Sequence, residues 1–141
     1  MKKLFYLFII SLLLCSCSKA KTANMPAENA KNIYKAFLTV KQDNSLTTNF
    51  QNCRFEYKVT NNAGAYSCEV PVTENQRYFF VISDAKEFKN EVNPIKQNAQ
   101  DLVYIAYLNY DEDARKMTGE KLLFSPKENL IIDNQEIKKH F

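Results

Sequence analysis

Four cysteines carry the most distinctive chemistry in the chain: Cys15 and Cys17 near its start, Cys53 and Cys68 in its interior. A thiol can be acylated, paired, used for redox exchange or given to a metal. For the interior pair, redox work calls for a CxxC-type spacing at a helix N-terminus, and neither is visible. Cys53 and Cys68 therefore read as a structural disulfide. It closes a loop of about 15 residues, worth roughly 3 kcal/mol in the chain-entropy picture. The other reactive groups are sparse or scattered. His140 is the single histidine, which removes most His-based triads, His-rich metal sites and Cys/His zinc modules. Asp111, Glu112 and Asp113 form the densest acidic run, but neither the Gly nor the Glu of an EF-hand loop follows at the right distance, so capping or solvation is the expectation. Tyr104, Tyr107 and Tyr110 could stack on a sugar or peptide, yet in a strand 104 and 107 point to opposite faces, which favours packing. No SxxK or GxSxG pattern singles out a serine, and two glycines are too few for a phosphate-cradling loop. The expectation is a protein without catalytic residues, metal or cofactor.

The first residues say where such a protein works. Lys2 and Lys3 precede an uncharged run over 4–14, LFYLFIISLLL. As a helix it is roughly 16 Å long at about 1.5 Å per residue, and a bilayer core needs about 30 Å. The run is too short to span and is apolar around its whole circumference, unlike a helix packed on a protein surface. It has the layout of a secretory leader. Leu14-Cys15-Ser16-Cys17 then resembles the lipobox of bacterial lipoproteins, with Leu14 in the first place, Ser16 in the third and Cys17 as acceptor. Taking Cys15 as acceptor would put the bulky Leu14 where a small residue belongs, so Cys17 is preferred. The resemblance covers the first 17 residues only. It implies cleavage before Cys17, a thioether-linked diacylglycerol and a further acyl chain on the new N-terminus. Several chains on one residue hold a protein on a membrane where a single chain does not. Ser18, in place of Asp, implies the outer membrane facing the periplasm if the source has two membranes. An oxidising compartment also agrees with the Cys53–Cys68 pairing.

The rest of the chain must then form one domain. Its 141 residues have 45% hydrophobic content and 25% charged, room for a single core. Of 19 Lys and Arg, two leave with the leader, so 17 face 16 acidic residues. That balance is too even for a nucleic-acid binder. We divide the chain into a signal peptide over 1–16, a lipidated polar tether over 17–25 and a globular domain over 26–141.

Within that domain Ala30, Ile33, Tyr34, Phe37 and Val40 follow helical spacing, which predicts a helix over 26–42 ended by Asp43-Asn44-Ser45. Strands are expected over 50–60, 65–73 and 77–83, with Cys53 and Cys68 facing each other across a hairpin whose loop over 60–64 contains Gly64. The continuous run 78–82 predicts a central strand covered on both faces. Asp84 and Glu87 match a variant capping box and start a short helix to about Val92. Residues 102–110 suit a strand better than a helix. A polar connection over 111–119, a closing hairpin of 122–124 with 130–132, and a frayed or lightly docked tail from Lys138 complete the reading. The fold class is α+β: an N-terminal amphipathic helix packed on an antiparallel β-sheet of five or six strands. For function this leaves a small lipid-anchored cell-envelope binding or assembly module, with the membrane and an envelope protein as partners. The alternative is an inhibitor or immunity-type protein against a periplasmic enzyme, a task to which a stapled, rigid domain is suited.

Overall fold

Strand-forming segments beginning at position 56 build one antiparallel sheet, seen in a computed structural model that describes residues 25–88 and 102–141. Helix α1 spans Ala27–Lys41 and α2 Asn44–Asn49. The strands follow as β1 (Glu56–Thr60), β2 (Ala63–Thr73), β3 (Gln76–Asp84), β4 (Val103–Asp111), β5 (Lys116–Ser125) and β6 (Leu130–His140). A 3-10 turn, Ala85–Phe88, follows β3. Their spatial order is β1-β2-β3-β4-β5-β6, a six-stranded meander in which each strand pairs antiparallel with its sequence neighbour. The architecture is thus mostly sheet with some helix.

The apolar stripe of α1 meets one face of this sheet. Ala30, Tyr34 and Phe37 are buried. Around them lie Tyr66 and Cys68 of β2, Phe80 and Ile82 of β3, Val103 and Ile105 of β4, and Leu122 and Phe124 of β5. Phe80 is fully enclosed, with Tyr34, Phe37, Phe50 and Phe55 edge-on to its ring at centroid distances of 5.2, 5.8, 5.1 and 6.0 Å. Such edge-to-face contacts satisfy the ring quadrupoles while burying large areas. On the opposite face Phe79, Tyr104, Ala106, Tyr110 and Leu123 are buried too. This explains why β3 and β4 read as nearly continuous apolar runs rather than clean alternations.

Helix α1 has Pro26 at its N-cap, one residue inside the expected boundary. It ends where Gln42 turns left-handed at φ 51°, its N–H bonding to the Leu38 carbonyl. Asp43 then starts α2 rather than a loop. Its carboxylate accepts the Leu46 N–H at 3.1 Å, and Leu46 and Phe50 turn into the core. This corrects the strand expected over 50–60, which begins only at Glu56.

The hairpin between β1 and β2 is also tighter than expected. Asn61 and Asn62 alone form its turn, both with positive φ (52° and 65°), as a twist-matched two-residue turn requires. Gly64 lies inside β2, where a Cβ would strike the Tyr57 hydroxyl. At the next turns, the connection after β4 is short and β5 already starts at Lys116. The expected polar connection to Gly119 is therefore corrected, and the tail expected to be frayed or lightly docked is instead paired into the sheet. Lys138, Lys139 and His140 belong to β6, and the Phe141 N–H donates to the Arg115 carbonyl at 2.8 Å. Backbone pairing holds this polar edge in place although its side chains bury little. The short helix expected after Asp84 is seen as the 3-10 turn to Phe88. Its continuation to Val92 lies outside the described residues, as do the leader, Cys17 and the tether over 18–24.

Candidate functional site

Cys53 and Cys68 are joined, with Cα atoms 5.7 Å apart. The bond does not run across paired strands as expected. Glu56 pairs with Ser67, so an extended β1 would bring Cys53 opposite Val70 and miss Cys68 by two positions. Instead the chain leaves α2, turns at 51–52 with the Cys53 N–H on the Phe50 carbonyl at 3.1 Å, and delivers Cys53 to Cys68 from outside the ladder. The bridge therefore ties the helical layer to the sheet. Cys68 is buried beside Phe80, and Cys53 is half-buried, packed against the same core.

A second tie links the layers at the C-terminal end of α1. The Lys41 ammonium lies 2.7 Å from Glu120 Oε2 of β5. The Tyr107 hydroxyl of β4 donates to the same oxygen, and the Asn134 amide of β6 reaches the other at 3.4 Å. Lys41 also stands 6.0 Å from the centroid of the Tyr107 ring. Three elements thus converge on one carboxylate carried by a fourth. Its chemistry is that of a clamp, since every group is engaged by its neighbour.

The cavity lies at the opposite end, where the N-terminal half of α1 passes the ends of β3 and β4 and the β5–β6 turn. It is an open cleft of about 450 Å³. Met25, Ile33, Leu102 and Pro126 supply apolar walls, and Asn32, Asp84 and Lys127 supply an amide, a carboxylate and an ammonium. The Tyr66 hydroxyl holds the Met25 backbone by donating to its carbonyl at 2.5 Å. A concave, mainly apolar lining with a few polar groups is the usual form of a small binding site. Its lining offers contact, hydrogen bonding and charge of both signs.

The other residues singled out in the sequence are dispersed. Asp111 accepts the Ala114 N–H at 3.0 Å, and Asp113 accepts the Asn75 amide at 3.1 and 3.2 Å, so the acidic run closes and braces a turn. Tyr104 and Tyr110 share one face of β4 and Tyr107 lies on the other, so the three do not form a stacking platform. Burial raises the Tyr110 phenol above its ordinary value, helped by Glu112 and Asp111 and opposed by Arg115. Burial alone raises that of Tyr34, whose hydroxyl donates to the Phe50 carbonyl. Among the described residues, no three His, Cys, Asp or Glu side chains gather as a metal site, and no helix is long and apolar enough to cross a membrane. Sequence reasoning missed both the clamp and the cleft. Each joins segments distant in the chain, and no local spacing announces them.

Compared with known proteins, the chain matches no family model, no curated protein and no solved structure.

Proposed function

We propose that this is a small lipoprotein of the cell envelope, acylated at Cys17, whose stapled domain serves as a binding or assembly module. The reading places it on the outer membrane, facing the periplasm, with an envelope protein as partner and no nucleic acid. The observation that carries it is the lipobox-like Leu14-Cys15-Ser16-Cys17 at the end of an apolar leader too short to span a bilayer. The joined Cys53–Cys68 pair supports it, because such bonds persist in oxidising compartments.

The cleft supplies a place for binding, and its position suits the anchor. Met25 lines it, and only residues 18–24 separate Met25 from Cys17, eight residue-to-residue steps. Eight such steps reach at most about 30 Å when fully extended. The cleft is then confined to the layer next to the membrane, where a ligand or partner would be met.

Fractionation of cells expressing the full chain and its Cys17→Ser form tests this. The wild type is expected in the membrane pellet, released by detergent and not by salt. The variant is expected to lose detergent-dependent retention. A Cys17→Ser protein that still fractionates with membranes as the wild type does would overturn the reading.

A further inference from the structure

Strand β6 is the longer open edge of the sheet: it spans Leu130–His140, against Glu56–Thr60 for β1 at the opposite edge. Among the described residues, no strand pairs with its outer side. An edge of this length presents a row of unpaired N–H and C=O groups, which natural proteins cover, twist away or charge. Here the charge is patterned.

The register shows which groups face outward. Lys116 pairs with His140, and the pairing runs without interruption to Leu123 with Asp133, beyond which a bulge breaks it. The Phe141 N–H bonds to the Arg115 carbonyl, so position 141 is a hydrogen-bonded one. Bonded and outward-facing positions alternate along an antiparallel strand. It follows that 135, 137 and 139 bond to β5, whereas Asn134, Glu136, Lys138 and His140 point their backbone groups outward. The side chains of these four are exposed.

Charge then selects a partner. Glu136 lies directly opposite Glu120 of β5, a like-charge neighbour, and is paired along its own strand with Lys138 at 3.2 Å. A cation on the open side of Glu136 and an anion on the open side of Lys138 would complete the pattern. One strand offers both in antiparallel order: β6 itself. Because opposed residues must point to the same face, a symmetric pairing has its axis through a residue. An axis at Glu136 sets Glu136 against Glu136. An axis at Gln135 matches Glu136 with the neutral Asn134 and runs into the bulge. An axis at Ile137 sets each Glu136 against the second copy's Lys138, on outward-facing positions, and brings the two Ile137 side chains together.

We propose that β6 pairs with β6 of a second copy of this chain, antiparallel about a twofold axis at Ile137, so that one sheet runs through both. The inference stands on the edge alone and is independent of the lipid anchor. Ile137 would then face its twin as a non-hydrogen-bonded pair, with Cα atoms about 4.5 Å apart, within reach of a disulfide.

The test uses the full chain as cells produce it, in the membrane or the soluble fraction. Ile137→Cys is expected to give a disulfide-linked dimer on a non-reducing gel under mild oxidation. Gln135→Cys, which would face position 139 of the second copy, is expected to give none. Adding Glu136→Lys to Ile137→Cys lowers the yield about tenfold, because like charges then oppose one another twice. Adding Lys138→Glu as well restores it. Absence of the Ile137→Cys dimer in a protein that still melts cooperatively overturns the proposal, as does an equal yield from Gln135→Cys or indifference to Glu136→Lys. Sedimentation in detergent reads the same interface without a new cysteine. The wild type is expected as a dimer and Lys138→Pro, which deletes an outward N–H and no bond to β5, as a folded monomer. A monomeric wild type contradicts the pairing.

Discussion

Lys41 and Glu120 lie 79 residues apart in sequence and 2.7 Å apart in space, closing the last turn of α1 onto the middle of β5. Both side chains are about four-fifths covered. The pair is thus neither a freely solvated surface contact nor a fully desolvated one. Removing Glu120 should cost more than removing Lys41, because Glu120 also accepts from Tyr107 and Asn134. We expect about 1–2 kcal/mol for Glu120→Ala and under about 1 kcal/mol for Lys41→Met. A double-mutant cycle by denaturant unfolding should give a coupling of about 0.5–1 kcal/mol. Additive losses would show that the two charges ignore one another.

The Cys53–Cys68 bond should be a staple and not a switch. Replacing both residues by alanine, or reducing the bond, is expected to lower stability by roughly 3 kcal/mol. In a domain of this size that is a drop of about 10–20 °C in melting temperature. Scanning calorimetry with and without reductant measures it. A change of less than about 1 kcal/mol would mean that the helical layer stays docked without the bridge.

Gly119 should resist substitution more than Gly64. At Gly119 the backbone has φ 151°, and a Cβ would run into the Tyr107 carbonyl, which the β4–β5 ladder holds in place. At Gly64 the obstacle is the Tyr57 ring end, a side chain able to swing away. Gly119→Ala is expected to cost about 2–4 kcal/mol, and Gly64→Ala less. Only the Gly64 variant should be rescued by Tyr57→Leu. Equal losses in urea melts, or rescue of neither, would contradict this.

Alkaline pH should loosen the fold through Tyr34. Burial holds its phenol neutral above the ordinary value near 10. The folded form therefore keeps a proton that the unfolded chain gives up. Stability is intact below about pH 10 and falls as pH rises beyond it. Tyr34→Phe should be less stable at neutral pH, having lost the bond to the Phe50 carbonyl, but should show a shallower decline above pH 10. Parallel alkaline curves for the two proteins would assign the decline elsewhere.

Much of the architecture was legible because burial follows a period. The stripe of Ala30, Tyr34 and Phe37 marked α1, and the run Tyr78 to Ile82 marked a strand enclosed on both faces. The β-branched and aromatic content from Val103 onward correctly favoured β4 over a helix. What stayed hidden has little periodicity to show. Helix α2 has one buried residue, Leu46, and depends on the Asp43 cap. The far half of β6 is polar on both sides except at Ile137, because it lies at an edge. The partnership of Cys53 with Cys68 was legible in their spacing, which lacks a redox pattern. The route that brings Cys53 there was not, because it depends on where β1 begins. Glu120 and the cleft are assembled by folding alone.

The central claim is that Cys17 becomes the acylated first residue of an exported, oxidised domain. Intact-mass analysis of the protein extracted from membranes tests all of it at once. The account predicts the mass of residues 17–141 less the two hydrogens of Cys53 and Cys68, plus diacylglycerol and acyl chains that thioether chemistry and base hydrolysis locate on Cys17. A protein that retains Met1 to Ser16, or that carries no lipid at Cys17, would contradict it.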